Sequence, residues 1–150
     1  MAISFSTALK NDLLDTGSLK SLFDDGYINV YSGTVPADAD AAIGAATLLV
    51  TYSDNDQGVG AGQGLDLDTA AADGAISKAP AQVWSGTAVA SGTATFWRYV
   101  QSTDTGAATT TELRMQGTVG GAGADLFVQS TAFTSTTLYS LDYFSVTIPL

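Results

Sequence analysis

The segment 93–128 constrains the fold more than any other, because it holds two runs of β-forming residues on either side of a polar turn. In the first run, Phe96–Val100 (FWRYV), large side chains occupy both odd and even positions. Successive side chains of a strand point to opposite faces, so this pattern predicts a strand that is covered on both sides. In the second run, Leu113 and Met115 alternate with charged or amide side chains. The two runs together predict the centre of a β-sheet.

Further β-forming runs recur along the chain, with turn residues about every 8–12 positions. Strands are predicted at residues 27–32, 46–52, 75–78, 80–84, 126–129 and 138–148, with a short one around Leu65 and Leu67. In the last run the bulky residues change parity, which predicts a bulge or kink near Asp142. Seven or eight short strands with this spacing predict a mainly β, single-domain β-sandwich or jelly-roll-like fold over residues 1–150.

The N-terminal segment, residues 1–25, differs from the rest because its apolar residues have helical spacing. Phe5, Leu9 and Leu13 lie at i, i+4 and i+8, which predicts a helix over residues 4–15, followed by one further helical turn. Two interpretations of this apolar stripe are open. It covers one end of the sheet, or it forms an arm that contacts a neighbouring subunit, in which case these three residues are the candidate assembly contacts.

The composition excludes several classes of function. The chain has no histidine and no cysteine, which removes the commonest general base, the commonest metal ligand and every thiolate site. Fifteen acidic against five basic residues give a net charge of −10, which disfavours nucleic acid and anionic membranes as partners. No apolar run is long enough to span a membrane, and the first residues lack the pattern of a signal peptide.

The motifs that could support chemistry do not fit their patterns. The glycine run 58–64 lacks the spacing and the following lysine of a phosphate-binding loop. Residues 54–58, within the irregular glycine-rich stretch 53–73, supply two carboxylates and no closing glutamate, so they are predicted to form a solvated acidic loop rather than a Ca²⁺ site. Asp66 and Asp68 share one face, but no aromatic platform accompanies them. The sequence therefore predicts no catalytic residue, no cofactor, no metal ion and no small-molecule ligand.

Four large residues are predicted to be structural. Trp84, Trp97 and Tyr99 are expected in the core, although an exposed tryptophan or tyrosine beside acids and amides would instead indicate a carbohydrate platform. Arg98 lies within the aromatic strand and is expensive to bury unpaired, so it is expected to bind a carboxylate. Three acidic residues are candidates for that partner: Asp104, Glu112 and Asp125.

The order of these segments resembles that of small virion proteins of tailed bacteriophages, which are similar to capsid decoration (cement) proteins with jelly-roll-like folds. The resemblance covers most of the chain and is carried by turn and core residues rather than by a catalytic motif. It is clearest in three stretches: YSG with PA at 31–37, GTA with Arg98 at 92–98, and QGTVG with ADL at 116–126.

The resemblance implies a non-enzymatic virion protein made in the bacterial cytoplasm and placed on the outer capsid surface. The implied partners are the major capsid protein and further copies of the chain, as a homotrimer. The same family resemblance is compatible with a minor tail or tail-fibre protein. A carbohydrate-binding β-sandwich module is an alternative from a different class.

Overall fold

The computed structural model describes residues 2–147. Within that range, twelve strands and two helices occur in this order: β1 (Ser4–Phe5), α1 (Thr7–Asp15), α2 (Leu19–Phe23), β2 (Tyr27–Ser32), β3 (Thr47–Asp54), β4 (Ala75–Ser77), β5 (Trp84–Thr87), β6 (Gly92–Thr93), β7 (Phe96–Val100), β8 (Arg114–Gly120), β9 (Leu126–Phe127), β10 (Ala132–Phe133), β11 (Leu138–Ser140) and β12 (Ser145–Thr147). The predicted mainly β fold with short N-terminal helices is confirmed.

One large sheet organises the molecule. Its strands follow the order β1-β8-β7-β2-β3-β5-β11 with antiparallel neighbours, and β9 adds a parallel pairing at the end of β8. The predicted central pair is present, with Arg98 of β7 opposite Gln116 of β8. On the other side of β7, Val30 of β2 lies opposite Trp97. Two small sheets, β6 with β10 and β4 with β12, complete the fold.

One face of the large sheet carries the apolar core. Trp97 and Tyr99 of β7 are fully buried on this face, and Trp84 of β5 is 1% exposed. The ring of Phe144 packs edge-on against both β7 rings, with centroid separations of 5.5 and 5.9 Å. The same core contains buried side chains from the helices, the small sheets and the loops: Leu9, Leu19, Phe23, Leu65, Leu67, Phe133 and Val146. The layers that cover the sheet are therefore the helices and the C-terminal strands.

The opposite face of the sheet is also buried, although it carries polar side chains. Arg98, Arg114 and Gln116 are 1%, 0% and 3% exposed. Residues 33–46, which connect β2 to β3 and which we call the cover segment, lie over them. All three side chains donate hydrogen bonds to backbone carbonyls of the cover segment. Both faces of Phe96–Val100 are therefore covered, as its sequence predicts.

Arg98 does not bind any of the carboxylates proposed from the sequence. Its Nε donates to Gln116 Oε1 at 2.8 Å, and its Nη2 donates to the Ala41 carbonyl at 2.6 Å. Asp104 instead pairs with Arg114, whose Nη2 lies 3.1 Å from Asp104 Oδ1. Within residues 2–147, no ion pair joins Arg98 to any of the three candidates: Asp104, Glu112 and Asp125. That prediction was wrong because the strand register places an amide, not an acid, opposite Arg98.

The N-terminal segment begins as a strand rather than a helix. Phe5 lies in β1, opposite Met115 of β8. The helix α1 begins only at Thr7, because the Ser6 hydroxyl accepts a hydrogen bond from the Leu9 N–H and caps the helix. The predicted helix over residues 4–15 was therefore too long at its start, and Phe5 does not belong to its apolar stripe.

Two other predicted strands have different bounds. The run 80–84 was predicted as a strand, but β5 starts at Trp84 and continues through Gly86, where an added Cβ would lie 2.2 Å from the Thr51 carbonyl oxygen. The closing run divides around Asp142 into β11, on the large sheet, and β12, which pairs with β4. This division is the predicted break, while Ile148 lies outside the described residues.

Candidate interaction surfaces

Carboxylates in and near the stretch 53–73 accept hydrogen bonds from backbone groups, including Asp56 and Asp66, which the sequence analysis considered for metal and acid–base chemistry. Asp25 accepts hydrogen bonds from the Gly62 and Gly64 N–H groups, and Asp56 accepts from the Thr87 N–H and hydroxyl. Asp66 accepts from the Asp25 N–H and from an amide nitrogen. Within residues 2–147, no three acidic side chains are grouped so that they could hold a metal ion.

The acidic glycine-rich stretch 53–73 has both exposed and buried parts. Residues 55–58 are exposed, in agreement with the solvated loop predicted over 54–58. Leu65 and Leu67, where a short strand was predicted, are buried to 0% and 1% exposure, and each forms an isolated β-bridge. The Tyr27 hydroxyl donates to the Gly60 carbonyl at 2.7 Å and accepts from the Gly60 N–H at 2.9 Å. Local composition does not reveal this contact, because Tyr27 lies 33 positions away from Gly60.

The exterior is more acidic than the formal charge indicates, because two of the five basic residues are buried. Arg98 and Arg114 lie under the cover segment, so the three lysines are the only basic side chains near the surface. Burial lowers the pKa of Arg98, and the neighbouring Arg114 lowers it further, whereas Asp104 acts in the opposite direction. The surface that a partner meets is therefore strongly anionic.

A groove between the helices and the small sheet of β4 and β12 forms an apolar concave surface, which we call the helix groove. Leu13, Leu19, Ile76 and Val146 line it, and its volume is about 430 Å³. Leu14, which follows Leu13 on α1, is 87% exposed. Leu14 is not among the residues that line the groove, but a concave apolar surface is itself a feature of sites that bind other molecules.

The three candidate assembly contacts take different positions. Leu9 is fully buried in the core and is not accessible to a partner. Phe5 is half-buried against the core from β1, whereas Leu13 is half-buried and lines the helix groove. Leu14, which the periodicity leaves on the polar side of α1, was missed. The adjacent pair Leu13-Leu14 could have indicated an exposed leucine, because neighbouring leucines on a short helix cannot both face the core.

The two tryptophans do not form a carbohydrate platform. Trp84 is 1% exposed and Trp97 is 0% exposed, and both pack on the ring of Phe144. The indole N–H of Trp84 donates to Gln82 Oε1 at 2.8 Å. Both side chains therefore act in the core.

Comparison with known proteins identifies no relative of this chain. No protein-family model, no curated protein and no solved structure matches it. Among residues 2–147, no helix is long and apolar enough to cross a membrane. The function proposed below is therefore argued from the residues and surfaces of the chain itself.

Proposed function

We propose that this chain is a non-enzymatic structural protein of a tailed-bacteriophage virion, placed on the outer surface of the head as a capsid decoration (cement) protein. The class of particle is taken from the sequence resemblance. The mode of action, assembly without chemistry, is supported by the apolar helix groove and by Leu14, an 87% exposed side chain on α1, the helix whose Leu13 lines the groove. Exposed apolar surface of this kind is buried when proteins associate.

The distribution of charge supports an exterior location. Packed DNA repels a protein with a net charge of −10 at short range, so the inside of a filled head is unfavourable. The sheet has both faces buried, which suits a protein that must survive outside a cell. We propose the major capsid protein as the partner that covers the helix groove, and a homotrimer as the assembled form.

Substitution of Leu14 tests whether the exposed side of α1, the helix whose Leu13 lines the helix groove, is an assembly surface. Leu14→Ser is expected to weaken binding to particles that lack the chain, while the melting temperature stays unchanged because the side chain is exposed. Val89→Ser is the matched control, since Val89 is 66% exposed and lies outside α1, between β5 and β6. Equal binding by both variants would remove this side of α1 from the proposal.

The location on the particle is tested by electron microscopy. Density for the chain is expected on the outer head surface, and particles without it are expected to lose head stability. Density at the tail tip, or particles that keep head stability but lose host attachment, would support a minor tail or tail-fibre protein instead.

A further inference from the structure

A second concave surface lies at the opposite edge of the large sheet from β1, beside β11, and we call it the edge groove. It has a volume of about 460 Å³, within the range of about 300–1,000 Å³ that is usual for ligand sites. Its floor is buried, formed by Tyr52, Phe133 and Leu141. Its rim includes two aromatic rings that are largely exposed, Phe127 at 56% and Tyr143 at 70%.

The apolar part of the edge groove is concentrated and partly fixed in place. Three of the seven large apolar side chains that are exposed within residues 2–147 line this groove: Phe127, Leu138 and Tyr143. Tyr139 forms a further wall, and its ring packs on Phe133 with a centroid separation of 4.4 Å. Its hydroxyl accepts a hydrogen bond from the Thr134 N–H at 2.8 Å. A wall held in this way needs no reordering to receive a ligand.

The polar side chains of the edge groove have hydrogen-bonding capacity that the fold does not use. Within residues 2–147, three of them form no side-chain hydrogen bond: Gln129, Ser140 and Asp142. Most other aspartates of the chain accept bonds from nearby donors, as Asp25 and Asp56 do. Exposed rings therefore lie beside a carboxylate, an amide and a hydroxyl that are available to a ligand.

From this combination, we infer that the edge groove binds an uncharged saccharide, a mono- or disaccharide unit of a neutral glycan. A sugar ring presents an apolar C–H face, which an aromatic ring covers, and hydroxyl groups at its edge, which a carboxylate or an amide binds. Asp142 and the acidic exterior disfavour anionic ligands such as sialylated or phosphorylated glycans. This inference does not depend on the location of the chain in a virion.

A polypeptide is the competing occupant, because β11 is the last strand on its side of the sheet and its outer edge pairs with no other strand within residues 2–147. Backbone pairing with an added strand needs a sufficient length of free edge. The strand β11 has three residues, which offers few backbone groups. Such pairing would also leave the carboxylate of Asp142 and the amide of Gln129 without a role. The side chains of the groove therefore favour the saccharide.

The test uses the purified chain and a panel of neutral sugars: glucose, galactose, mannose, N-acetylglucosamine, lactose and maltose. Saturation-transfer nuclear magnetic resonance and calorimetric titration are expected to detect binding of at least one of them. Tyr143→Ala and Asp142→Ala are each expected to weaken that binding about tenfold or more. Both residues are exposed, so the melting temperature is expected to stay the same, which separates a lost site from a lost fold.

Val89→Ala serves as the control, because Val89 is exposed outside the edge groove and its substitution is expected to leave binding unchanged. Absence of binding to every sugar in the panel would overturn the inference. So would sugar binding that Tyr143→Ala leaves intact. Self-association of the chain that Tyr143→Ala abolishes would assign the groove to a polypeptide and would overturn it as well.

Discussion

Gly64 shows at the scale of a single residue how closely the stretch 53–73 is fitted to the fold. A Cβ at this position would lie 2.2 Å from the carbonyl carbon of Asp25, a distance that requires the backbone to move. The Gly64 N–H also donates to the Asp25 carboxylate at 2.7 Å. The glycine is therefore required by a close approach of two backbone segments.

We expect Gly64→Ala to lower the free energy of unfolding by about 1–3 kcal/mol, because the added methyl group overpacks this contact. Gly121→Ala is the matched control, since no atom lies within 4 Å of the added Cβ, and its effect is expected to stay within about 0.5 kcal/mol. Urea denaturation of the two variants makes the comparison. Similar free energies of unfolding for both variants would contradict the prediction, because they would show that the backbone around Asp25 moves to accommodate the added methyl group at little cost.

Asp40 links the cover segment to the start of α1. Its carboxylate accepts hydrogen bonds from the Thr7 N–H, at 2.9 Å, and from the Thr7 hydroxyl. Burial raises the pKa of Asp40, but these hydrogen bonds, together with the nearby charges of Lys10 and Arg114, lower it more, so its folded pKa lies below the ordinary value. A carboxylate with a depressed folded pKa stabilises the protein above its unfolded pKa, and this stabilisation is lost as the pH falls through the folded pKa.

We expect Asp40→Asn to lower the free energy of unfolding at neutral pH by about 0.5–1 kcal/mol, a modest value because water screens this partly exposed group. The difference from the unsubstituted chain should shrink as the pH falls through the folded pKa of Asp40. Denaturation curves recorded across the acid range test this. Asp73→Asn, at an exposed carboxylate without a hydrogen bond within residues 2–147, is the control and should leave the free energy of unfolding at neutral pH close to that of the unsubstituted chain. If Asp40→Asn remained equally less stable than the unsubstituted chain at acid pH, its effect would not come from the ionised carboxylate of Asp40.

At the scale of elements, the cover segment depends on side chains of the sheet beneath it. Arg98, Arg114 and Gln116 donate to three of its carbonyl groups, those of Ala41, Ala39 and Pro36. The buried guanidinium of Arg98 has no carboxylate partner within residues 2–147; it donates to Gln116 and to the Asp38 and Ala41 carbonyls, while its Nη1 has no hydrogen-bond partner there. The segment is therefore held by hydrogen bonds to a buried charge rather than by apolar packing alone.

We expect Arg98→Ala to destabilise the protein by about 3–5 kcal/mol, because it leaves a void and buried carbonyl groups without donors. Hydrogen-exchange mass spectrometry should show the loss of protection first in residues 33–46. Val59→Ala, at a 60% exposed residue outside the cover segment, should change neither quantity. Uniform loss of protection over the whole sheet would contradict a local role for Arg98.

The parts of the fold that could be predicted from sequence are those determined by residues close together in the chain. The alternating pattern of β2 and the bulky run of β7 locate these strands because side-chain parity acts between adjacent residues. The partner of Arg98 could not be found in this way, since it depends on strand register and on a carbonyl 57 positions away. Leu14 was missed as a surface residue for a related reason. Its exposure depends on how α1 lies on the core, which periodicity leaves open when two leucines are adjacent.

At the scale of the whole molecule, the acidic exterior sets the conditions for self-association. Each copy carries a net charge of −10, and its two arginines are buried, so copies that approach one another repel. Salt screens such repulsion, with a Debye length of about 30 Å at 0.01 M and about 8 Å at 0.15 M.

We therefore expect the proposed homotrimer to associate more tightly at an ionic strength of about 0.15 M than at about 0.01 M. Sedimentation equilibrium at the two salt concentrations measures the change. Leu14→Ser provides a comparison: because Leu14 is assigned to the contact with the capsid, this substitution should leave self-association unchanged at both concentrations. Association that weakens as salt is added would indicate ion pairs between copies and would contradict this expectation.

The hydrogen bonds between the sheet and the cover segment also constrain the order in which the chain can fold as it is synthesised. The hairpin of β2 and β3 leaves the ribosome with the cover segment between its strands, but Gln116 follows the carbonyl of Pro36 by 80 positions. Until β7 and β8 emerge, β2 has an unpaired edge and an uncovered face. Contacts this distant in sequence slow folding. A nascent chain that ends before β7 is therefore the species most exposed to proteases and to aggregation, and the fold can close only after β7 and β8 have emerged.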